Sequence, residues 1–253
     1  MKPICSLVFF ILNIMLGLQA NASNYCFQPC YCWNGFYAGV HGGFAWYSNK
    51  INFHPLPSAV SFVNLVPTHL HVHPNGGFGG AQIGYNYQRC AALIGLETDF
   101  SGGNIKDRVR RNPIIQNNGT PFPGAGFLEG RQRTDWFGTL RFRLGYAQND
   151  ILIYGTGGLA YAHVNNSADT DFRPVGTDHY PLSLSRVRLG WAAGVGLEYG
   201  FCSRWSVKGE YLLYDLSRIS KTANSAIPST PFQIRYEFEN RNNFFRFGLN
   251  YRI

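Results

Sequence analysis

Beyond its first 22 residues the chain has no long apolar run. A membrane-spanning helix needs about 20 apolar residues, so helical spans are excluded and any crossing must be made by strands. Charge is scarce as well. Asp, Glu, Lys and Arg make up 14% of the 253 residues, with 22 basic against 14 acidic side chains and a net charge of +8. That balance suits anionic lipids, polyanions or haem propionates. No nucleic-acid motif accompanies it, so nucleic acid is not an expected partner. The Cys26, Cys30, Cys32 cluster lacks the second ligand pair of a zinc site, so no metal site is expected there.

The first 22 residues are an export signal. Lys2 supplies the positive end, Ile4–Leu18 is mostly apolar, and Ala20-Asn21-Ala22 is an A-x-A cleavage site. Residues 1–22 are therefore read as a signal peptide and 23–33 as a Cys-rich leader. Residues 34–253 form one β domain. Export permits disulfides. Cys26, Cys30, Cys32, Cys90 and Cys202 remain after cleavage; five is odd, and spacing alone does not fix their pairing.

What the chain has in abundance is 29 Gly, 20 Phe and 15 Tyr, arranged with a period of two. In 244–253 the residues Phe245, Phe247, Leu249, Tyr251 and Ile253 alternate with Arg246, Gly248, Asn250 and Arg252. Such alternation is an extended strand with one apolar and one wet face. The same pattern marks seven more strands, at 34–47, 76–88, 91–102, 131–147, 151–164, 185–200 and 205–219. The fifth is apolar on both faces, which leaves its orientation open. Short turns at Arg89-Cys90, 148–150 and 201–204 alternate with long loops at 48–75, 103–130, 165–184 and 220–240. Four prolines in the first loop exclude it from a central strand.

Eight strands with alternating short and long connections predict an all-β, antiparallel, up-and-down transmembrane barrel with four long extracellular loops. Both termini then lie on the short-turn, periplasmic side. A narrow eight-stranded barrel is filled by side chains. The inward set Glu97, Asp99, Arg141, Arg143, Arg188, Glu198, Lys208, Glu210, Arg246 and Arg252 mixes signs and is expected to pair across the lumen. Trp46, Tyr87, Trp136, Tyr146, Tyr199 and Trp205 stand near strand ends, as aromatic girdles do.

Three loop clusters could carry chemistry. His69, His71 and His73 alternate, with His54 upstream, and could ligate haem iron or a divalent metal. Lys106 to Arg111 is a basic run suited to lipopolysaccharide phosphates or glycans. His163, Ser167, Asp169 and Asp171 sit near one rim, where a lipid-modifying enzyme would keep its residues, but no nucleophile motif frames Ser167.

GFYAGVHGGFAW, GGAQIGYNYQ, GLETDFSG, GYAQNDILIYGTGGLAYAHV, GWAAGVGLEYGFCSRWSVKGEYLLYDLS and FRFGLNYRI together resemble the small outer-membrane β-barrel proteins of Gram-negative bacteria, of the opacity-protein or OmpA-like class. The resemblance implies outer-membrane lipids, lipopolysaccharide and the barrel assembly machinery as partners. It also implies a surface structural or adhesive role rather than an enzymatic one. Relatives of this class include surface antigens, adhesins, porin-like proteins and hemin-binding proteins, so host ligands, hemin or small solutes are the other implied partners. Under that topology the five cysteines share the periplasmic side, which implies bridges from Cys90 and Cys202 to the leader. The closing strand resembles an assembly signal, though it ends in Ile253 rather than an aromatic residue.

Overall fold

The structure, a computed structural model, describes residues 31–56, 69–112, 126–171, 179–201, 203–225 and 233–253. The segment read as a signal peptide, Cys26, Cys30 and Cys202 lie outside the described residues. Eight antiparallel strands close into a barrel: Gly35–Trp46 (β1), Asn75–Arg89 (β4), Ala92–Arg111 (β5), Phe127–Gln148 (β6), Ile151–Asp171 (β7), His179–Gly200 (β8), Trp205–Asp215 (β9) and Arg241–Arg252 (β12). β12 pairs with β1 over Trp46↔Asn243 to Tyr37↔Arg252, which completes the cylinder. The closing role expected of the last strand is therefore met. At the short-turn end Cys90 and Asn149 take positive φ values of 53° and 52°. Asn tolerates that conformation well.

Among the described residues the long connections are largely strand, not loop. β5, β6, β7 and β8 run 20 to 22 residues, beyond the ends read from the sequence. At a rise of about 3.3 Å per residue such a strand is about 70 Å long, more than a bilayer crossing needs. The first and fourth loops contribute Asn49–Pro55 (β2), His69–Val72 (β3), Ile219–Asn224 (β10) and Gln233–Phe238 (β11). These form a second sheet in the order β10-β11-β2-β3. That order repeats β9-β12-β1-β4 of the barrel. The second sheet is thus the upper half of the same four strands, broken and folded inward. Pro74, without an N–H, marks one break, and Ser217, at φ 62°, marks another. β9 consequently ends at Asp215 rather than at Ile219.

Side-chain parity continues through the breaks, but its chemistry inverts. In the barrel the outward residues are apolar: Phe247 is 64% exposed, Leu189 73% and Phe142 66%. The inward residues there are mostly polar. Above the breaks the outward residues are Lys50, His54, Arg131 and Arg235, while Ile51, Phe53, Leu128, Ile234, Tyr236 and Phe238 face in. The tall β5–β8 wall and the second sheet enclose that apolar core, joined by Tyr180, Leu70 and Val72. Each fully buried large aliphatic or aromatic side chain stabilises by about 1.5–3 kcal/mol. The upper part is therefore a packed two-sheet sandwich.

The inversion also resolves the fifth predicted strand. Its outward residues are Ile151, Ile153 and Leu159; its inward residues Leu152, Tyr154, Ala160 and Ala162 enter two apolar layers of the interior. One layer, around Phe78, Phe137, Tyr214 and Phe244, lies above the charged middle of the barrel. The other closes the short-turn mouth, where Tyr31 and Trp33 of the leader pack on Leu93, Leu152 and Tyr154. Trp33 Nε1 donates to the Asn149 carbonyl at 3.2 Å.

Candidate functional site

Between the two apolar layers the lumen holds four carboxylates and four cations. Glu97 from β5 is the hub. Its oxygens accept from Arg141 at 2.6 Å, Lys208 at 2.8 and 3.0 Å, Arg246 at 3.0 Å and the Tyr37 hydroxyl at 2.7 Å. Arg143 lies 3.5 Å from it. Asp99 takes Arg141 at 3.2 Å and Arg246 at 3.1 Å. Glu210 accepts from Arg246, from Arg141 at 3.1 Å and from the Tyr154 hydroxyl at 3.1 Å. Glu198 accepts from Arg143 at 2.7 Å, Ser206 at 2.6 Å and Asn250 at 2.7 Å.

All eight charged side chains are 0–4% exposed. The inward glycines make room for them. A methyl group at Gly84 would meet the Tyr37 ring, and one at Gly196 the Tyr154 ring. Arg143 is sandwiched by those tyrosines, 3.9 Å above Tyr154 and 5.5 Å from Tyr37. Buried charges cost heavily unless paired, and here every one is. The eight charges come from five strands and tie the wall across its own centre.

Eight of the sequence-predicted lumen residues meet there; Arg188 and Arg252 do not. Arg188 has the inward parity, but it lies beyond the end of the β8–β9 pairing at Trp191↔Asp215. The wall opens there, and Arg188 donates instead to the Arg218 carbonyl at 3.2 Å. Arg252 sits at the short-turn mouth and donates to the Ser203 carbonyl at 3.1 Å. Neutral members were missed: Tyr37, Tyr154, Thr139, Ser206 and the chain His41–Gln82–Asn250, with His41 also 2.7 Å from Ser101 Oγ. Their shared parity with the charges was the available signal.

The upper sandwich has two seams, where the tall wall and the second sheet face each other without ladder pairing. At the β3–β5 seam the His73 N–H donates to Asp107 at 2.7 Å. Here the predicted histidines come together. The His69 and His71 rings lie 5.0 Å apart, and His71 and His73 stack at 6.3 Å. Burial, then the neighbouring His69, Lys50, His73 and Arg111, hold His71 below the ordinary imidazole pKa. A neutral imidazole is the form that ligates metal. Among the described residues, however, no group of three or more His, Cys, Asp or Glu is arranged to hold a metal ion.

The rim residues are sorted differently from the expectation. His163 is not paired with Ser167 or Asp169. Its Nε2 is 3.2 Å from Ser185 Oγ and its Nδ1 is 3.4 Å from Asp135, the residue at a β-bulge of β6. Asp135 is already held by Arg133 at 2.5 Å and by the Asn165 amide at 2.6 Å. Its carboxylate is thus committed elsewhere, and His163 Nδ1 makes no hydrogen bond. Asp169 pairs with His179 at 2.8 Å, and burial raises its pKa. Arg108, in the basic run, bonds Glu129 at 2.8 Å, and Arg110 lies over the Phe127 ring at 4.0 Å. Among the described residues Cys32 and Cys90 make no disulfide, and both are exposed.

A family profile described as the outer membrane protein beta-barrel domain matches residues 10–252. The chain belongs to this outer-membrane β-barrel family. It is 34% identical over 234 residues to the 31 kDa outer-membrane immunogenic protein of Brucella melitensis, covering 88% of this chain and 85% of the relative. It is 25% identical over 227 residues to the 25 kDa outer-membrane immunogenic protein of the same species, covering 89% of this chain and 81% of that one. Among solved structures it resembles the Pseudomonas aeruginosa outer membrane protein OprG, with TM-score 0.47, 12% identity and coverage of 89% and 100%. Escherichia coli outer membrane protease OmpT gives TM-score 0.45, 12% identity and coverage of 92% and 100%.

For a member of the outer-membrane β-barrel family the apolar belt is the lipid face. The rings at its limits fall into place. Trp46 with Tyr211, and Phe100 with Trp136, mark the upper limit at ring distances of 6.2 and 5.8 Å. Trp205 with Tyr251, at 4.9 Å, marks the lower. Amphipathic rings favour these interfaces.

Proposed function

We propose that the protein is a surface-exposed outer-membrane anchor that presents a rigid sandwich for adhesion or ligand binding. The observation that carries the reading is the inversion of side-chain polarity above β1–β12. It gives the chain a lipid-facing lower half and a water-facing upper half with its own core. The lumen, filled by the ion network and two apolar layers, favours an anchor over a porin-like conduit. In this reading the long-loop end faces outward and both termini are periplasmic. The upper sheet, its connections and the basic run at Lys106–Arg111 meet lipopolysaccharide or host ligands. Assembly proceeds through the barrel assembly machinery. No catalytic step is assigned. The test is binding of intact cells, with and without the protein, to host matrix and to lipopolysaccharide, alongside conductance of the purified barrel in planar bilayers. A large steady conductance would reverse the order of the two readings.

A second reading is supported by the β3 edge. His69, His71 and His73 form a row of adjacent rings, with Lys50 and Arg111 close enough to His71 to influence its proton. Imidazoles beside cations suit haem iron and its propionates. Hemin titration followed by absorbance should give tighter binding by wild type than by a His69→Ala/His71→Ala/His73→Ala variant. Equal binding ends this reading.

A further inference from the structure

The opposite seam, between β8 and β10, is not a histidine edge but a cationic cleft. It forms because β9 leaves the barrel at Asp215, turns at Ser217 and re-enters the second sheet as β10 at Ile219. From Gly190 to His179, β8 keeps only β7 as a ladder partner. The resulting cleft has a volume of about 240 Å³. Arg186 and Arg188 from β8 line it together with Arg218 and Lys221, and Val164, Leu184 and Ile219 supply its apolar lining.

Cation exceeds anion here. Arg218 reaches Glu239 at 3.3 Å and Glu237 at 3.9 Å. Among the described residues Arg186 and Lys221 make no ion pair. Arg188 spends one Nη on the Arg218 carbonyl, while its Nε is sealed from solvent without a partner. The cleft's height is equally informative. Val187, Leu189 and Trp191, alternating with the two arginines on β8, are 54%, 73% and 50% exposed on the lipid face. Ser185, next above, is the first polar outward residue of that strand. The cations thus stand at the level where the lipid face ends and headgroups begin.

We propose that this cleft binds phosphate groups, and that its resident ligand is a phosphorylated glycolipid of the outer leaflet. Its phosphate would contact Arg186, Arg188, Arg218 and Lys221 while its chains lie on Val187 and Leu189. Arginine's planar fork suits phosphate oxygens, and charge-assisted bonds to them are the strong kind. The choice of a lipid source rests on the outward orientation of the sandwich; the phosphate chemistry does not.

The experiment uses the mature chain in detergent and native mass spectrometry. The probes are bis-phosphorylated lipid A, the same glycolipid after phosphatase treatment, and inorganic pyrophosphate as competitor. Wild type should retain the phosphorylated lipid and bind the dephosphorylated form about tenfold or more weakly. Arg186→Gln/Lys221→Gln should lower affinity for the phosphorylated lipid to that of the dephosphorylated one. These two residues have no carboxylate partner to lose, and retained heat-modifiable migration will show that the variant is folded. Competition by pyrophosphate at concentrations matching the lipid would uphold the phosphate site and assign it to a soluble ligand. Equal binding of both lipid forms, or no effect of the double substitution, overturns the proposal. Detergent measurements do not depend on membrane orientation, so failure here is separable from failure of the surface-anchor reading.

Discussion

Neutralising Glu97 tests the lumen network at its hub. Glu97→Gln keeps the side chain's shape and removes only charge. The lumen would then hold three carboxylates against the four cations Arg141, Arg143, Lys208 and Arg246. Removing one partner from a buried ion pair costs about 3–5 kcal/mol, because the remaining charge stays buried without compensation. Glu97 serves several cations at once, which places its substitution at the upper end of that range. An exposed pair is a control: Arg241 and Asp215, 3.1 Å apart with side chains 75% and 24% exposed, should contribute at most about 1 kcal/mol. The assay is urea unfolding of barrels in lipid vesicles, followed by tryptophan fluorescence and heat-modifiable migration. Glu97→Gln/Lys208→Met restores neutrality and should recover most of the loss. A Glu97→Gln cost below about 1 kcal/mol, or a double variant no better than the single, would refute the reasoning.

Three further outcomes are expected. Gly84→Ala should destabilise by about 1–3 kcal/mol in the same assay, because the new methyl displaces the Tyr37 ring that supports Glu97 and Arg143; an unchanged unfolding midpoint would contradict this. His71 is held below the unfolded imidazole value of about 6.5, so its contribution to the β2–β3 pair is complete above that pH and is lost as pH falls through the lower folded value. Amide protection in 69–72, taken relative to the intrinsic exchange rate at each pH, should therefore fall on acidification in wild type and respond less in His71→Ala. Ile253→Phe should fold and insert normally, since Ile253 is 72% exposed and its backbone N–H bonds the Phe36 carbonyl at 2.9 Å; loss of heat-modifiable migration would count against it.

The barrel was legible because lipid and lumen impose opposite chemistry on alternate residues, and Phe245/Arg246 or Leu96/Glu97 record it directly. The upper sandwich was not, for two physical reasons. Its runs, such as Ile51 to Phe53 and Ile234 to Phe238, are short and bordered by breaks. Its apolar face also points inward, reversing the phase that identifies a barrel strand. Parity told which residues of β8 face inward but not where β9 departs, so Arg188 was grouped with the lumen charges. The pairing of His163 with Ser185 and Asp135 depends on register across three strands and on the β6 bulge. The basic cleft combines Arg186 and Arg188 with residues some 30 positions away, a proximity that only the kink at Ser217 creates.

The central claim is that the polarity inversion marks the membrane's outer limit. Thiol labelling on intact cells tests it most directly, using Arg235→Cys in β11 and Gln148→Cys at a short turn, each with the native cysteines of the mature chain replaced by serine. Both positions are exposed. A membrane-impermeant maleimide should label the cysteine at position 235 on intact cells and the one at 148 only after permeabilisation. Labelling at 148 but not 235 on intact cells would contradict the account.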